Sequence, residues 1–425
     1  MPQLATLAEW LGYIESLSVA DIKLDLDRIK RVAKKLNLFN PGFKIITVAG
    51  TNGKGSNVAL IESMLLQAGI KVGSYTSPHL IDFNERIRIN KRVIDSDTLI
   101  LLFETVERTR GDTELTFFEF TTLSAMKYFY DEGIDIAILE VGLGGRLDAV
   151  NIFPGDYGII TNISLDHMDW LGDTREKIAY EKAGIIHHGM TIVYGEKDIP
   201  DAIIEQSKIA NKLILRDTDF WINEDGYGGH EYEDIQGNKL AITMPHFGGD
   251  EQLDNIASSL ALCFHIGKEA GVDLLKVSSG IEEASLAGRF QKIYIKNRHW
   301  LLDVAHNTAS VGRLALSLKK RAKDKKIIAL IAIMKDKEAE KMISLMADLV
   351  DQWVCIDIDI IRAFKAEELA KLVSSQTGAA CVTSPLSKSI DLALEISRQD
   401  DLILIFGSFY LVGPMLKQLG YNQNK

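Results

Sequence analysis

Proline is scarce in this chain: eight in 425 residues, well below the usual ~5%. That excludes a proline-rich linker protein. Cysteine is scarcer still. Cys263, Cys355 and Cys381 are odd in number, widely spaced and form no C-x-x-C pair. A disulfide framework or thiolate zinc site is therefore not expected, and a reducing compartment is. No uncharged apolar run reaches the ~18 residues that would suggest a membrane span. The opening MPQLATLAEWLGYIESL has no basic segment leading into an apolar core, so no secretory signal is read there. Excess positive charge is missing too. The 48 Lys and Arg against 59 Asp and Glu leave a net charge of −11. A general nucleic-acid binder carries a basic face, so that class drops out. An acidic protein that binds anions must gather its cations locally. There is no G-x-S-x-G elbow, no H-E-x-x-H zinc motif, no internal repeat and no low-complexity segment.

The rest is ordinary globular usage, 46% hydrophobic and 25% charged. At roughly 150 residues per domain, two or three domains are expected. Residues 1–40 read as helical: Leu4, Leu7, Trp10, Leu11 and Ile14 recur at helical spacing, as do Ile29, Val32 and Ala33. The β-branched run Phe43–Ala49 then reads as a strand, Ser56–Ala68 as a helix stopped by Gly69, and Val72–Thr76 as a second strand. Ile134–Val141, Tyr157–Ile163 and Thr191–Tyr194 are further strands. Thr121–Tyr130 and Thr174–Lys182 are helices, the latter with Asp173 and Glu176 as its expected capping box. Strands alternating with helices imply a mostly parallel, covered sheet. Residues 217–250, rich in Gly, Asp and Glu, read as a small antiparallel excursion, and Asn255–Ala270 as a helix. After Gly288-Arg-Phe-Gln291 a fresh α/β cycle begins, with strands at Trp300–Val304, Ile327–Ile333, Trp353–Ile358 and Leu402–Phe406. The expected fold class is therefore α/β. A P-loop ATPase-type domain with a mostly parallel sheet spans residues 1–292, and a Rossmann-like domain spans 293–425.

The strongest local signal is Val48-Ala-Gly-Thr-Asn-Gly-Lys-Gly-Ser56, which follows a strand and opens a helix. Glycines let backbone N–H groups approach phosphate oxygens, the helix N-terminus adds positive potential, and Lys54 adds a full charge. Ser56 is placed to reach a phosphate-bound Mg²⁺. The spacing departs from the G-x-x-x-x-G-K-[ST] pattern, with Val48 at the first Gly position and a Gly between Lys54 and Ser56. Glu140 ends an apolar strand, where an acid needs a cation or a partner; it suits a Mg²⁺ ligand or a salt-bridged strand end. His167 follows the next strand and suits a metal ligand, a general base or a structural histidine. Lys182 lies in the last turn of its helix, where the helix C-terminus alone favours a lysine. Arg289 at the junction suits either a ligand contact or a salt bridge. Asp303 and His306 suit either a site or a capped turn.

In order, Gly50-Thr-Asn-Gly-Lys-Gly-Ser56, Thr76-Ser-Pro-His-Leu80, Phe118-Glu-Phe120, Glu140-Val-Gly-Leu-Gly-Gly-Arg-Leu-Asp148, Leu165-Asp-His167, Glu181-Lys-Ala-Gly184, Gly288-Arg-Phe290 and Asp303-Val-Ala-His-Asn307 closely resemble the folylpolyglutamate synthase/dihydrofolate synthases, a branch of the Mur ligase superfamily. The resemblance runs from the Leu7-Ala-Glu-Trp10 opening, which is like that of the bifunctional bacterial enzymes, to Gly407-Ser-Phe409. It implies an ATP-dependent amide ligase that phosphorylates a carboxylate and lets L-glutamate displace the phosphate. Its acceptors are 7,8-dihydropteroate and reduced folates. By motif, Thr51, Asn52, Gly53, Lys54, Gly55 and Ser56 resemble the ATP phosphate loop. Ser77, Glu140 and His167 resemble Mg²⁺ ligands. Lys182 resembles a lysine carbamylated by CO₂ that supports a second Mg²⁺. Asn255, Arg289 and Asp303 resemble ATP contacts across a domain cleft, with His306 in the same loop. Thr116, Phe117, Phe118 and Glu119, with Leu147, Asp148 and Ala149, resemble the pterin-side pocket. The departure from the usual phosphate-loop spacing is the family's own form. The expected partners are small molecules, with no nucleic acid and no membrane, in a cytoplasmic monomer.

Two other readings stay open on the residues. A cell-wall Mur ligase shares the chemistry, but those enzymes usually carry a further N-terminal domain, for which a phosphate loop at residue 50 leaves no room. A non-enzymatic nucleotide switch would not need Glu140, His167 and Lys182 together.

Overall fold

The computed structural model describes residues 4–17, 25–224, 229–322 and 325–421. Its contacts divide into two units. The first is Met1–His79, Phe83–Pro245 and Gln252–Ser285; the second is Leu80–Asp82, His246–Glu251 and Leu286–Lys425.

In the first unit, strands β1 (Lys44–Ala49), β2 (Val72–Tyr75), β3 (Ile87–Ile89), β4 (Arg92–Val93), β5 (Ile136–Glu140), β6 (Tyr157–Ile160), β7 (Thr191–Tyr194) and β8 (Lys212–Leu215) form one sheet. Its order is β4-β3-β2-β5-β1-β6-β7-β8. All pairs are parallel except those that add β3 and β4 at one edge. The central strand β1 is buried at every position after Lys44, as a parallel strand covered on both faces requires. One core cluster of this unit joins Ile45, Ala49, Leu139 and Ile160 to Trp10, Ile29, Phe103 and Phe120 from the flanking helices. Each such fully buried aliphatic or Phe side chain contributes about 1.5–3 kcal/mol. β9 (Phe220–Glu224), β10 (His230–Asp234) and β11 (Lys239–Ile242) make the antiparallel excursion expected within 217–250. Tyr232 stacks on Phe220 and meets Phe264 edge-on, which pins this small sheet to the helix Leu253–Ala270.

In the second unit, β12 (Gln291–Ile295), β13 (Arg298–Leu302), β14 (Ile327–Ile331), β15 (Gln352–Asp357), β16 (Cys381–Pro385) and β17 (Leu402–Phe406) form a sheet in the order β12-β13-β17-β14-β15-β16. Only the edge strand β12 runs antiparallel to its neighbour. Alternate residues of β14 serve two cores. Ile327, Ala329 and Ile331 pack with Trp353 and Leu404; Ile328 and Leu330 pack with Trp300 and Ile403. Cys355 and Cys381 face each other on paired strands as thiols, with Sγ atoms 3.1 Å apart.

Two local expectations change. The helix Arg175–Ala183 is capped by Thr174, whose hydroxyl accepts from Lys177 N; the Asp173/Glu176 box does not form, because Asp173 pairs with the Lys177 ammonium instead. The strand expected to reach Ile163 ends at Ile160 because Thr161 and Asn162 turn to brace the loop after β1. Among the described residues no helix is long and apolar enough to cross a membrane.

Candidate active site

β1 delivers the chain into Gly50–Gly53, and the helix Lys54–Gln67 starts immediately after it. Two glycines make the turn. Gly50 has φ 141, and a Cβ there would collide with the Thr161 hydroxyl. Gly53 has φ 85, and a Cβ there would collide with Asn255 Oδ1. Only glycine fits both demands. The chain beyond β6 then clamps the loop. Thr51 N donates to Asn162 O at 2.9 Å and Asn52 N to Asn162 Oδ1 at 3.1 Å. Asn52 O accepts from Thr161 Oγ1 at 2.6 Å and from Asn162 Nδ2 at 2.9 Å. Asn255, in the first unit, braces the loop from behind: its Oδ1 accepts from Asn57 Nδ2 at 3.0 Å and its Nδ2 donates to Gln252 at 2.9 Å. Ser56 is buried in the first helical turn. The helix N-terminus thus faces the loop with backbone donors that suit phosphate oxygens.

Two lysines converge on one carbonyl. Lys54 Nζ donates to Gly50 O and Thr51 O at 3.1 Å each, and Lys182 Nζ donates to Gly50 O at 2.8 Å. Lys182 is 5% exposed. Burial, with the Lys54 charge beside it, pushes its amine down to about 7 despite Asp166 and Asp148. The walls of this cleft are Gly50, Thr51, the Val141–Gly144 turn, Asp166 and His167. His167 is exposed, with φ 51.

Asp148 is buried beneath the glycine turn. Its carboxylate accepts from Leu143 N at 2.8 Å and Val150 N at 3.1 Å. Burial outweighs those donors and raises it to about 6. Glu140 ends β5 and is 5% exposed; its Oε2 accepts from Ser77 N at 3.2 Å.

The residues expected on the pterin side divide. Phe117 and Phe118 are half-buried and Leu147 is exposed. Phe118 stacks on Tyr75 and fills the space beside Gly142, where a Cβ would meet its ring at 2.9 Å; Phe117 lies under Arg86. Thr116 and Glu119 are instead buried in the capping box of the helix Phe117–Glu132, and Glu119 also pairs with buried Arg28 at 2.8 Å. Ala149 is buried in the short helix that Asp148 caps.

Thr51–Ser56, Asp148, His167 and Lys182 are therefore brought together in the first unit. Arg289, Asp303 and His306 belong to the second. There Arg289 lies over the Phe409 ring, Asp303 accepts from Phe290 N at 2.8 Å and Ala305 N at 2.7 Å, and His306 Nδ1 is 2.9 Å from Val304 O. Three contributors lie outside the predicted set. Asp166 sits in a quoted motif, and polar Thr161 and Asn162 at a strand end carry a usable signal; what each of them braces depends on the fold.

Residues 48–263 match the Mur ligase middle domain and residues 288–409 the Mur ligase glutamate ligase domain. The dihydrofolate synthase/folylpolyglutamate synthase of Haemophilus influenzae is 36% identical, covering 96% of each chain; that of Escherichia coli is 34% identical over 98% of this chain and 96% of its own. The structure of E. coli FolC in complex with DHPP and ADP is similar at TM-score 0.91 and 33% identity, over 99% of each chain. That of the bifunctional Yersinia pestis enzyme complexed with AMPPNP and Mn is similar at TM-score 0.90 and 35% identity, over 99% of this chain and 100% of its own. With that agreement along nearly the whole length, the chain belongs to the dihydrofolate synthase/folylpolyglutamate synthase family of Mur ligases.

Proposed function

We propose that this protein is an ATP-dependent ligase that joins L-glutamate to 7,8-dihydropteroate, making dihydrofolate, and to reduced folates, lengthening their glutamyl tail. The observation that carries the reading is the braced phosphate loop with Lys54 and Lys182 on one carbonyl, beside a glycine turn, in a chain of this family. An acceptor carboxylate oxygen attacks the γ-phosphorus of ATP, and ADP leaves. The glutamate amine then attacks the acyl carbon of the resulting acyl phosphate; phosphate leaves and the amine loses a proton.

The chain's part in this is positioning and charge, as phosphoryl transfer requires. The loop amides and the N-terminus of the helix Lys54–Gln67 hold the phosphates. Lys54 exchanges the Gly50 and Thr51 carbonyls for phosphate oxygens, and Asn255 keeps the loop in its left-handed turn. Phe117, Phe118 and Leu147 offer apolar surface to the pterin, while Thr116, Glu119, Asp148 and Ala149 hold that surface in place. Arg289 and Asp303 are assigned to ATP, and His306 to the same loop, by the family resemblance alone.

The donors present fit Mg²⁺ in kind. Glu140 and Ser77 are hard oxygen donors, and Ser77 N already touches the Glu140 carboxylate. Among the described residues no three His, Cys, Asp or Glu side chains converge as a ready cage. That is the usual state for Mg²⁺, which takes one or two carboxylates and completes its shell with phosphate oxygens and water. Ser77 and Glu140 would hold one ion, and His167 with a carbamylated Lys182 a second. Bound there, Mg²⁺ neutralises charge on the phosphates. Lys182 fits such a role only after its amine has added to CO₂ and lost a proton, since an ammonium repels a cation. We take the enzyme to work as a cytoplasmic monomer on small molecules, without nucleic acid or membrane. Glutamate-dependent phosphate release, measured separately with each acceptor, tests the reading.

A further inference from the structure

Among the described residues, sizeable cavities outside this site include two. One, of about 410 Å³, sits between the small antiparallel sheet and the helix Leu253–Ala270. Its walls mix Lys212 and Lys268 with Asp219 and Asp234, so it selects neither sign of charge. The other, of about 330 Å³, belongs to the second unit and is different in kind.

The helix Thr308–Arg321 packs on one face of the sheet, and beyond its last turn the outer strands β12 and β13 form a floor. The period of two along β12 sends Lys292 and Tyr294 to the same face, and Phe290, just before the strand, lines the same cavity. From β13, His299 and Leu301 join them; Leu318, Arg321 and Lys325 close the side. The floor is aromatic and apolar, with Phe290 buried and Tyr294 paired to His299 at 4.9 Å between ring centroids.

The charge is one-sided. Lys292, Arg321 and Lys325 line the cavity, and no Asp or Glu does among the described residues. Lys292 Nζ lies 5.5 Å and Arg321 Cζ 5.7 Å from the centre of the Phe290 ring. Partial burial, with Arg321 and Lys325 nearby, pushes the Lys292 ammonium down. Arg321 also pairs with Asp250 at 2.9 Å, as does Lys320 at 2.8 Å, yet Asp250 does not line the cavity. Lysines on an edge strand discourage other strands, and cations at a helix C-terminus complement its dipole. Neither purpose requires three of them to surround a floor of aromatic rings in a protein of net charge −11.

Phe290 carries a second sign of constraint. It has φ 45, a left-handed conformation that is an outlier for a bulky residue. The backbone is held there with Phe290 N on Asp303 and its ring under two cations. Rings flanked by more cations than acidic partners are recognised by a flat body that stacks, edged with negative groups that meet the cations.

We propose that this cavity is a binding site for a small aromatic polycarboxylate, a single ring bearing two or three carboxylates. The ring lies on Tyr294 and His299, beside the buried Phe290, and the carboxylates face Lys292, Arg321 and Lys325. The inference rests on this cavity alone and not on the ligase reading.

The test is isothermal titration calorimetry on the full chain with benzene-1,3,5-tricarboxylate as probe. Propane-1,2,3-tricarboxylate, an aliphatic trianion, is the control. Lys292→Glu and Lys325→Glu change exposed side chains, and circular dichroism with the urea midpoint checks that they fold. Saturable binding of the aromatic probe is expected, weakened by added salt. Each reversal should weaken it about tenfold or more, and the aliphatic control should bind about tenfold less tightly than the aromatic. Lys54→Ala should leave the aromatic affinity unchanged, which separates this cavity from the phosphate loop. Absence of saturable binding, equal affinity for the two trianions, survival through both charge reversals, or loss in Lys54→Ala would each overturn the proposal.

Discussion

Replacing Gly53 with alanine probes the glycine turn after β1 without touching a charge. The added methyl meets two obstacles. The left-handed φ of 85 costs an alanine about 1–2 kcal/mol. The methyl also occupies the space of Asn255 Oδ1, so the amide must turn away. Turning breaks its buried hydrogen bonds to Asn57 and Gln252, each about 0.5–1.5 kcal/mol. Together the loss is about 2–5 kcal/mol. Urea unfolding followed by circular dichroism reads it as a lower midpoint at unchanged slope. Asn255→Ala separates the two terms. In that background the methyl no longer meets the Asn255 amide, so the double variant should be less destabilised than the sum of the singles by about 1–3 kcal/mol. Strict additivity would refute the claim that Asn255 is what Gly53 makes room for. A stability loss below ~1 kcal/mol in Gly53→Ala would refute the strained turn itself.

Two further outcomes follow from the same cleft. Asp148, raised from 3.8 to about 6 by burial, holds more protons in the folded protein than in the unfolded chain between those values. Its contribution to stability should therefore be fully present below about pH 4 and be lost as pH rises to about 6, by about 3 kcal/mol in all; Asp148→Asn should remove that component from the urea-midpoint profile, and a slope unchanged from wild type counts against the assignment. Lys182→Ala should largely abolish ligation with little change in urea midpoint, and short carboxylic acids should restore part of it. The wild type supplied with ¹³CO₂ should show a carbamate resonance that the variant lacks, and near-normal turnover in the variant contradicts the role.

The alternation of strands and helices was legible because buried parallel strands are written as β-branched runs: Lys44–Ala49, Thr191–Tyr194 and Leu402–Phe406 lie close to where the pattern puts them. The edge strands were not. β12 alternates Ile with Lys and Tyr, and β16 is a short run closed by a proline, so neither shows the apolar run that marks a central strand. Ends also drifted for a physical reason. The helix after the phosphate loop starts at Lys54, two residues before Ser56, because Gly53 has already turned the chain. Within the candidate site, the tight turn between β1 and the helix Lys54–Gln67 was legible from its glycines. Thr116-Phe-Phe-Glu119 was legible in two ways, since a T-x-x-E capping box and a polar pocket wall look alike until Arg28 is seen beside Glu119. Asn255 acts on the loop from 202 residues further along the chain than Gly53, a contact that no local pattern carries.

The central claim is tested most directly by phosphate release from ATP under defined acceptors. With Mg²⁺ and L-glutamate present, turnover should appear on adding 7,8-dihydropteroate and, in a separate reaction, on adding a reduced folate. It should vanish when either glutamate or the acceptor is left out, and Lys54→Ala should abolish it in both. The products should carry one additional glutamyl residue by mass. Phosphate release that ignores glutamate, or that needs neither acceptor, would contradict the ligase reading, and activity with the folate alone would contradict its dihydropteroate half.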